Sequence, residues 1–521
     1  MQLNPTPTAR AMIATAAMGV LVAAFCHEPV AMLWMGSILM GVTVAHGVAN
    51  LKVARARRQG FEMYLKEGVH RFNVVRGRHF TIEIVLRNRS TVAMRLRDFQ
   101  VLASPEIMIS AGLTEIHLGA QSSVEISLRG VAVRVGHSAV HGLTLRVVDS
   151  SGTFEAPLIF VSPVQVLVWP ATLRMSSRAS LGGRSQRRSD AERTGHSSGD
   201  SIELRELRAH QPGDAMRKIA WKASARRGIL LVRDEELMER QSLWVILDAS
   251  LELWAGVIGS APLDNAIDQL ASLSRKYIAL GDRVGLGIMA ARTLAWVPLD
   301  SGAIQLARLT NAFLKAAQLW DADRSGCDED DVARVVLEHA VRIEPALGRQ
   351  TASAGIERVL QGAARILKQF ELEVPDVYAK TPRERLLRQY ATVFGLTSPR
   401  KLEPERTLTD EQLLSAIERC VKDRPTRILV CSVEPSARLL DGIALLRRRL
   451  LHHHIKLSWL SVDVSAGLPR VSTPAQQTVN DAIQWRIDAA NLQLRGKLRR
   501  LGISIEQLPK PQVKRPGVGV I

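Results

Sequence analysis

The sequence predicts a doubly wound α/β sheet as its largest domain, set behind an N-terminal hydrophobic hairpin and a β-rich region. Three observations lead there. Residues 243–247, Leu243-Trp244-Val245-Ile246-Leu247, form an unbroken apolar run that ends in Asp248, the pattern of a parallel strand buried on both faces. Strand-like and helix-like segments alternate after it, as βαβ units do. At 521 residues the chain is also too long for one ordinary core, so several domains are expected.

The first element is a hairpin over residues 1–58. From Ala11 to Leu51 there is no Lys, Arg or Asp, and the only acid is Glu28. The stretch breaks at Cys26-His27-Glu28-Pro29 into a run Ala11 to Phe25 and a run Val30 to Leu51. A bilayer core takes about 20 helical residues, and in lipid the backbone must pair within each helix. Two antiparallel spans with Glu28-Pro29 at the turn satisfy both demands. A cleaved signal peptide is the competing reading. It is disfavoured because the n-region carries only Arg10 and a second hydrophobic run follows directly. Arg10 before the first run and Lys52, Arg55, Arg57 and Arg58 after the second place both ends, and everything downstream, in the cytoplasm by the positive-inside rule.

Residues 70–172 switch to period two. Thr81-Ile82-Glu83-Ile84-Val85-Leu86, Ser123-Val124-Glu125-Ile126-Ser127-Leu128 and Leu143-Thr144-Leu145-Arg146-Val147 alternate in polarity and are separated by turn formers. Short strands at this spacing predict a β-sandwich-like domain. Residues 173–200, dense in Ser, Arg and Gly, read as a linker that cannot bury enough apolar surface to fold alone. The Gly182-Gly183 pair in it lacks the G-x-x-x-x-G-K-[ST] spacing of a phosphate loop.

Composition narrows the function. The four cysteines, Cys26, Cys327, Cys420 and Cys431, are far apart and support neither a disulfide framework nor a zinc site. The net charge of +18 suits a surface beside an anionic membrane leaflet. It also raises the alternative of a membrane-associated nucleic-acid-binding protein, but the basic residues are interleaved with acids and no zinc-finger or RRM pattern occurs. No H-E-x-x-H and no Cys/His pairing of a hydrolase is present.

The most informative stretch reads Arg208-Ala209-His210-Gln211-Pro212-Gly213-Asp214, then Arg217, Ile219, Trp221-Lys222-Ala223-Ser224-Ala225-Arg226, and Val232-Arg233-Asp234-Glu235 before the strand ending in Asp248. It resembles the family called domain of unknown function 58 (DUF58), with His210 where the family usually has Tyr. A second matching block is Gly281-Asp282-Arg283-Val284-Gly285-Leu286. The resemblance implies a von Willebrand factor A-like fold in a bacterial inner-membrane protein. It also implies a partnership with a MoxR-type AAA+ ATPase in assembly or activation of other proteins. The chain's own part would be a non-enzymatic protein-interaction module, since it carries no nucleotide-binding motif.

On that layout the von Willebrand factor A-like domain spans 201–465. Its helical spacing covers Leu263 to Leu280 and Ala303 to Leu319, with strands from Val284 to Met289 and Thr293 to Pro298. Strand 426–431, helix Ser436 to Leu451 and strand Ile455 to Val462 follow. A helix-rich insertion interrupts it at about 326–424. Arg383, Arg385, Arg388, Lys401 and Arg406 make the insertion basic, which reads as a solvated face. Residues 466–521 read as a C-terminal helix and a disordered Pro-, Lys- and Gly-rich tail.

Sites in such sheets lie beyond the carboxyl ends of the strands. The resemblance implies a Mg²⁺ site built on D-x-S-x-S, a hard cation held by carboxylate, hydroxyl and water oxygens. Here Asp248 and Ser250 are retained, Glu252 replaces the second Ser, and Glu434 stands after the strand 426–431 where relatives have Ser-Asp. Asp248, Ser250 and Glu434 are the candidate ligands of a degenerate site, with Thr293 as the available Thr. The same site motivates a second alternative function, a metal-dependent adhesion-type ligand binder. Without metal, Asp248 serves as a helix-capping carboxylate. Arg208, Gly213, Asp214, Arg217, Trp221, Lys222 and Arg226 are the candidate partner-binding residues. Their structural reading is a Gly213-Asp214 turn, Trp221 packed on the sheet, and basic residues paired with nearby acids. His452-His453-His454 point in different directions on a helix end, which does not suit one metal ion.

Overall fold

A computed structural model describes residues 4–148, 152–171, 194–211, 216, 219–238, 241–254, 256–350, 356–400, 406–462 and 473–507. The N-terminal elements are β1 (Asn4–Pro5), α1 (Pro7–Phe25) and α2 (Pro29–Gln59). The β-rich region holds β2 (Phe61–Leu65), β3 (Arg71–Val75), β4 (His79–Asn88), β5 (Met94–Ala103) and β6 (Ile107–Ser110). It continues with β7 (Glu115–Leu118), β8 (Ser123–Ala132), β9 (Gly136–Val148) and β10 (Phe154–Trp169). Next come β11 (Thr194–Ala209), α3 (Trp221–Arg227), β12 (Leu231–Met238), β13 (Ser242–Asp248), α4 (Pro262–Ala279), β14 (Arg283–Met289) and β15 (Thr293–Asp300). Five helices follow: α5 (Ala303–Ala316), α6 (Glu329–Ile343), α7 (Ile356–Gln369), α8 (Pro382–Val393) and α9 (Arg406–Lys422). The chain closes with β16 (Arg427–Ser432), α10 (Ala437–His452), β17 (Lys456–Ser461), α11 (Pro474–Arg500) and β18 (Ser504–Gln507).

These elements form two compact units. One comprises Met1–Ala171, Gly256–Asp264 and Phe313–Pro404; the other comprises Thr172–Ala255, Asn265–Ala312 and Glu405–Ile521.

In the first unit, α1 and the Pro29–Leu51 part of α2 are long and apolar enough to cross a membrane. Thr6 caps α1 by accepting from the Ala9 amide, and Pro7 occupies the first turn, where a missing N–H costs nothing. The buried residues of α1 are Ala9, Ala16 and Ala23, small side chains that let a neighbouring helix approach closely. Leu21, Phe25, Leu33 and Trp34 face outward. An apolar exterior of this kind is what a lipid environment covers, and it supports the expected hairpin as a membrane anchor.

The β-rich region forms two sheets, β2-β4-β8-β6 and β1-β10-β9-β5-β7, with β3 pairing β10 in parallel. Ile82, Ile84, Leu86, Ile126 and Leu128 of the first share one core with Leu96, Leu143, Leu145, Val147, Val164 and Val166 of the second. Alternate residues on strands point to one face, so the period-two pattern read in the sequence is the inner lining of a sandwich.

The helices α6, α7 and α8 interrupt the second unit in sequence, as the insertion expected at about 326–424 does. Residues Phe313–Pro404 group with the sandwich, and α9 groups with the second unit. The reason is packing: Val332, Val336, Leu360, Ile366, Leu387, Tyr390 and Phe394 share a core with Ala139 of β9. Gln165 of β10 donates to the Glu373 carbonyl at 2.8 Å and accepts from its amide at 2.9 Å. Arg388, read from sequence as part of a solvated basic face, is 1% exposed. Its guanidinium donates to Glu384 at 2.7 Å, to the carbonyls of Trp320 and Cys327, and to Ser325 Oγ.

The same core buries a His pair. His141 Nδ1 lies 3.0 Å from His339 Nε2, and His339 Nδ1 lies 2.9 Å from the Tyr390 hydroxyl. Burial lowers His141 to about 4 and His339 to about 3, with Arg342 adding to both. Unfolded histidine titrates near 6.5, so the unfolded chain binds more protons between these values. The stability these two residues contribute is therefore complete above about pH 6.5 and is lost as pH falls towards 4 and then 3. Melting temperature measured from pH 7 to 4 is expected to fall more steeply in the native chain than in a His339→Gln variant.

The second unit contains a two-stranded β11-β12 ladder and a six-stranded sheet ordered β15-β14-β13-β16-β17-β18. Strand β15 runs antiparallel to β14, and every other neighbouring pair is parallel. Trp244 and Ile246 of β13 share a core with Leu413, Ile417, Ile443, Leu446 and Leu498 from α9, α10 and α11. Leu243, Val245 and Leu247 on the opposite face are equally buried, so β13 is covered on both sides, as its unbroken apolar run requires. Gly285 on β14 makes room for the indole of Trp244, which a Cβ there would meet at 2.8 Å.

The region after residue 466 departs from expectation. Helix α11 leads into β18, which pairs in parallel with β17, and Leu498 and Ile503 enter the core. The α/β sheet therefore extends past the expected boundary at 465. Four residues, Ser504-Ile505-Glu506-Gln507, are too few to announce a strand by periodicity. The expected linker lies largely outside the described residues, as does the tail beyond Gln507.

Candidate functional site

The site stands at the carboxyl end of β13. The strand delivers Asp248 to the rim, and the following Ala249-Ser250 segment leads into a short 3-10 turn, Leu251–Trp254. Asp248 is fully buried. Its Oδ1 accepts from the Ser250 amide at 2.9 Å, a local turn two residues on. Its Oδ2 accepts from Ser432 Oγ at 2.6 Å and from Arg406 Nη1 at 2.8 Å. Ser432 ends β16, the parallel neighbour of β13.

Arg406 is the centre of the arrangement. Besides Asp248, its Nη2 donates to Ser432 Oγ at 3.1 Å, its Nε pairs with Asp410 at 2.9 Å, and its Nη1 lies 3.5 Å from Glu252. Burial by itself would lower the Arg406 pKa, but Asp248, Asp410 and Glu252 outweigh it and hold it above its ordinary value. Burial raises the Glu252 carboxyl, with Asp248 and Asp410 adding to the rise and Arg406 opposing it. The Ser250 Oγ is buried and finds no hydrogen-bond partner among the described residues. Beneath the rim, burial and then Asp248 push the Cys431 thiol far up.

Of the candidate ligands, Asp248 and Ser250 come together. Glu434 does not join them: its Oε1 accepts from Ser461 Oγ at 2.6 Å and from Arg495 of α11 at 2.9 Å. Thr293 Oγ1 lies 3.5 Å from Gln412 Oε1 and from Met289 Sδ. The residues that sequence reasoning missed are Arg406, Ser432 and Asp410. The sequence reads Arg406 as part of a solvated basic face, whereas it lies on α9 with its side chain only 20% exposed.

A divalent cation needs several free oxygens around it in a near-octahedral array. Here Asp248 Oδ2 already serves Ser432 and Arg406, Oδ1 serves a backbone amide, and a full positive charge sits 2.8 Å from the carboxylate. The arrangement does not fit a divalent ion. Among the described residues no three His, Cys, Asp or Glu side chains form a metal-ligand group.

The signature residues are placed in part. Arg208 lies on β11 opposite Val232 of β12. Trp221, Lys222 and Arg226 lie on α3, which Gly228 ends in the left-handed conformation at φ 68°. Trp221 does not pack on the sheet: it is 61% exposed. The residue that ties α3 inward is Ser224, whose Oγ accepts from the Leu231 amide at 2.9 Å. Gly213, Asp214 and Arg217 lie outside the described residues.

Among solved structures, part of the chain is similar to a secreted serine protease, VesC, from Vibrio cholerae. It is 14% identical with a TM-score of 0.17, over 22% of this chain and 24% of that one. The PapD-like domain 7 of human CEP192 is 10% identical at a TM-score of 0.17, over 21% of this chain and 87% of that one. The E. coli chaperone DraB is 14% identical at 0.15, over 21% and 55%. The chain thus spans about a quarter of VesC, and similarities this low carry no argument. A search of curated proteins finds no match. Against family models, residues 206–342 match the family described as protein of unknown function DUF58. Those residues run from the basic signature through Asp248 to α6, so the segment that resembles DUF58 in its sequence is the one the family model matches.

Proposed function

We propose that this chain is a membrane-anchored, non-enzymatic protein-interaction module, with a von Willebrand factor A-like domain that docks a MoxR-type AAA+ ATPase or its client in protein assembly or activation. The observation that carries the reading is the six-stranded sheet with one antiparallel edge strand and a buried Asp248 at the carboxyl end of its central β13. Such sheets present their binding surface at that rim. Asp248 is spent on Arg406 and Ser432, which suits a structural rim better than a proton-transfer site. The exposed Trp221 of α3, beside the basic Lys222, Arg226 and Arg227, has the aromatic and cationic character found at protein interfaces.

The test uses the full chain solubilised from membranes with a purified MoxR-type ATPase. Stable co-elution and a changed ATPase rate are expected, with binding weakened at least tenfold by Trp221→Ala combined with Lys222→Glu. No co-elution and no change in rate would refute the ATPase partnership.

The membrane arrangement belongs to the same proposal: an inner-membrane hairpin with both ends and the soluble units in the cytoplasm. Cys26 is exposed at the turn between α1 and α2, whereas Cys327, Cys420 and Cys431 are buried, with burial pushing the Cys420 and Cys431 thiols up. Only thiolate reacts readily. A membrane-impermeant maleimide added to intact cells is therefore expected to label Cys26 alone. Labelling only after the membrane is opened would reverse the orientation.

A further inference from the structure

We infer that the cavity beside the start of α1 binds the phosphodiester headgroup of a monoanionic phospholipid, with Arg10 and Arg146 as its donors. The inference rests on the membrane-anchored reading of α1 and α2. The cavity measures about 340 Å³ and is lined by Asn4, Arg10, Arg146, Glu155 and Pro157, all within the first unit. That volume falls in the range of small-ligand sites, roughly 300–1,000 Å³.

The first support is depth. Arg10 stands in the first turn of α1, and from Ala11 to Phe25 the helix carries no charge. A helix of this kind enters the hydrocarbon just past its basic residue, and a long basic side chain there reaches out to the phosphates. The sandwich is fastened at the same level. Asn4 of β1 stands opposite Glu155 of β10, the Thr6 amide donates to the Thr153 carbonyl at 2.9 Å, and the Thr6 hydroxyl donates to the Gly152 carbonyl at 2.9 Å. Arg146 of β9 stands opposite Pro157 of β10. The wall that β9 and β10 give the cavity is thus tied to the head of a membrane-length helix.

The second support is charge. The Glu155 side chain is 7% exposed and accepts from Arg97 Nη2 at 2.5 Å and from Arg146 Nη1 at 2.6 Å. Arg146 Nε also lies 3.4 Å from Asp98. Two acids and two arginines balance here, and with both its oxygens taken Glu155 serves to hold Arg146 at the wall. Arg10 is the excess charge. Its Nε donates to the Pro5 carbonyl at 3.1 Å, and its two terminal nitrogens have no partner among the described residues. One net positive charge matches one phosphodiester anion, whose two free oxygens suit a guanidinium fork. The Asn4 amide offers a donor and an acceptor to a headgroup hydroxyl. A choline or ethanolamine headgroup would instead bring a second cation beside Arg10.

The test uses the full chain in dodecylmaltoside, titrated with dioleoyl phosphatidylglycerol, dioleoyl phosphatidylcholine or inorganic phosphate and read by native mass spectrometry. One phosphatidylglycerol is expected to bind saturably and about tenfold more tightly than phosphatidylcholine, the scale of one charge-assisted hydrogen bond. Arg10→Gln should erase the preference without lowering the melting temperature, and Arg10→Lys, which keeps the charge but not the fork, should retain only part of it. Arg129→Gln, which removes a charge from an exposed position on β8, should leave the preference intact. An equal loss in Arg129→Gln would reduce the effect to bulk attraction and overturn the proposal, as would equal affinities for the two lipids. Inorganic phosphate bound as tightly as phosphatidylglycerol would overturn the lipid assignment. Alkaline carbonate extraction separates this site from the reading it rests on. A chain retained in the membrane pellet but without lipid preference sinks the headgroup site alone, whereas release of the chain sinks the anchor and the site together.

Discussion

Replacing Arg388 by Met is expected to destabilise the sandwich-and-helix unit by about 3–5 kcal/mol, the cost of removing one partner from a buried ion pair. The side chains of Arg388 and Glu384 are 1% and 5% exposed. Arg388 also closes the carbonyls of Trp320 and Cys327 and the hydroxyl of Ser325. The variant leaves a buried carboxylate without its guanidinium and two carbonyls without that donor. Glu384 keeps one bond through the Lys380 amide at 2.8 Å, which fixes the carboxylate in place and prevents its escape to solvent. Urea unfolding of the full chain should show the lowered midpoint. An added Glu384→Gln should recover part of the loss, because a neutral amide is cheaper to bury than an unpaired charge. Equal midpoints for the native chain and Arg388→Met would show that the pair carries no net stability.

The second large effect is expected at Asp264, also in the first unit. Its carboxylate is 4% exposed, pairs with Arg134 at 3.1 Å, and accepts from the amides of Gly259 and Ala261 at 3.0 and 3.3 Å. Around it, Arg76 donates to the carbonyls of Val133, Gly259 and Asp264. The loop cannot easily readjust. Gly259 has φ +84°, and a Cβ there would meet Val133 Cβ at 2.6 Å, so the backbone conformation is imposed by close approach. Asp264→Ala removes a buried countercharge and the carboxylate oxygen that accepts from two backbone amides, and is expected to cost about 3–5 kcal/mol. Asp264→Asn keeps an acceptor and should cost less. The order of the two urea midpoints checks the argument, since a pure packing loss would not separate Asn from native so clearly.

Both positions show where one-dimensional reading stops. Arg383, Arg385 and Arg388 look alike in sequence, three basic residues near the start of a helix. Only Arg388 turns inward, because the segment from Trp320 to Cys327 lies over that face of α8 and presents carbonyls to it. No local pattern encodes a partner some sixty residues away. Arg406 was misread for a related reason. Its acids come from β13, the turn after it and one helical turn ahead, and two of those three are remote in the chain. The amphipathic spacing of α6 and α7 shows that each has an apolar face, but spacing does not say which surface covers it.

What the sequence determined by itself is whatever a repeating local pattern dictates. The two apolar runs dictated the hairpin, period-two alternation the sandwich, and the unbroken run into Asp248 the buried central strand. The order of residues from Arg208 to Asp248 pointed to DUF58. Tertiary structure alone decided which charge meets which: that Asp248 faces a guanidinium, that Glu434 turns away to Arg495, that Trp221 stays outside, and that β18 completes the sheet. The physical reason is range. Backbone pairing and hydrophobic periodicity are set by residues a few positions apart, whereas a buried charge is stabilised only by partners that the finished fold brings to it.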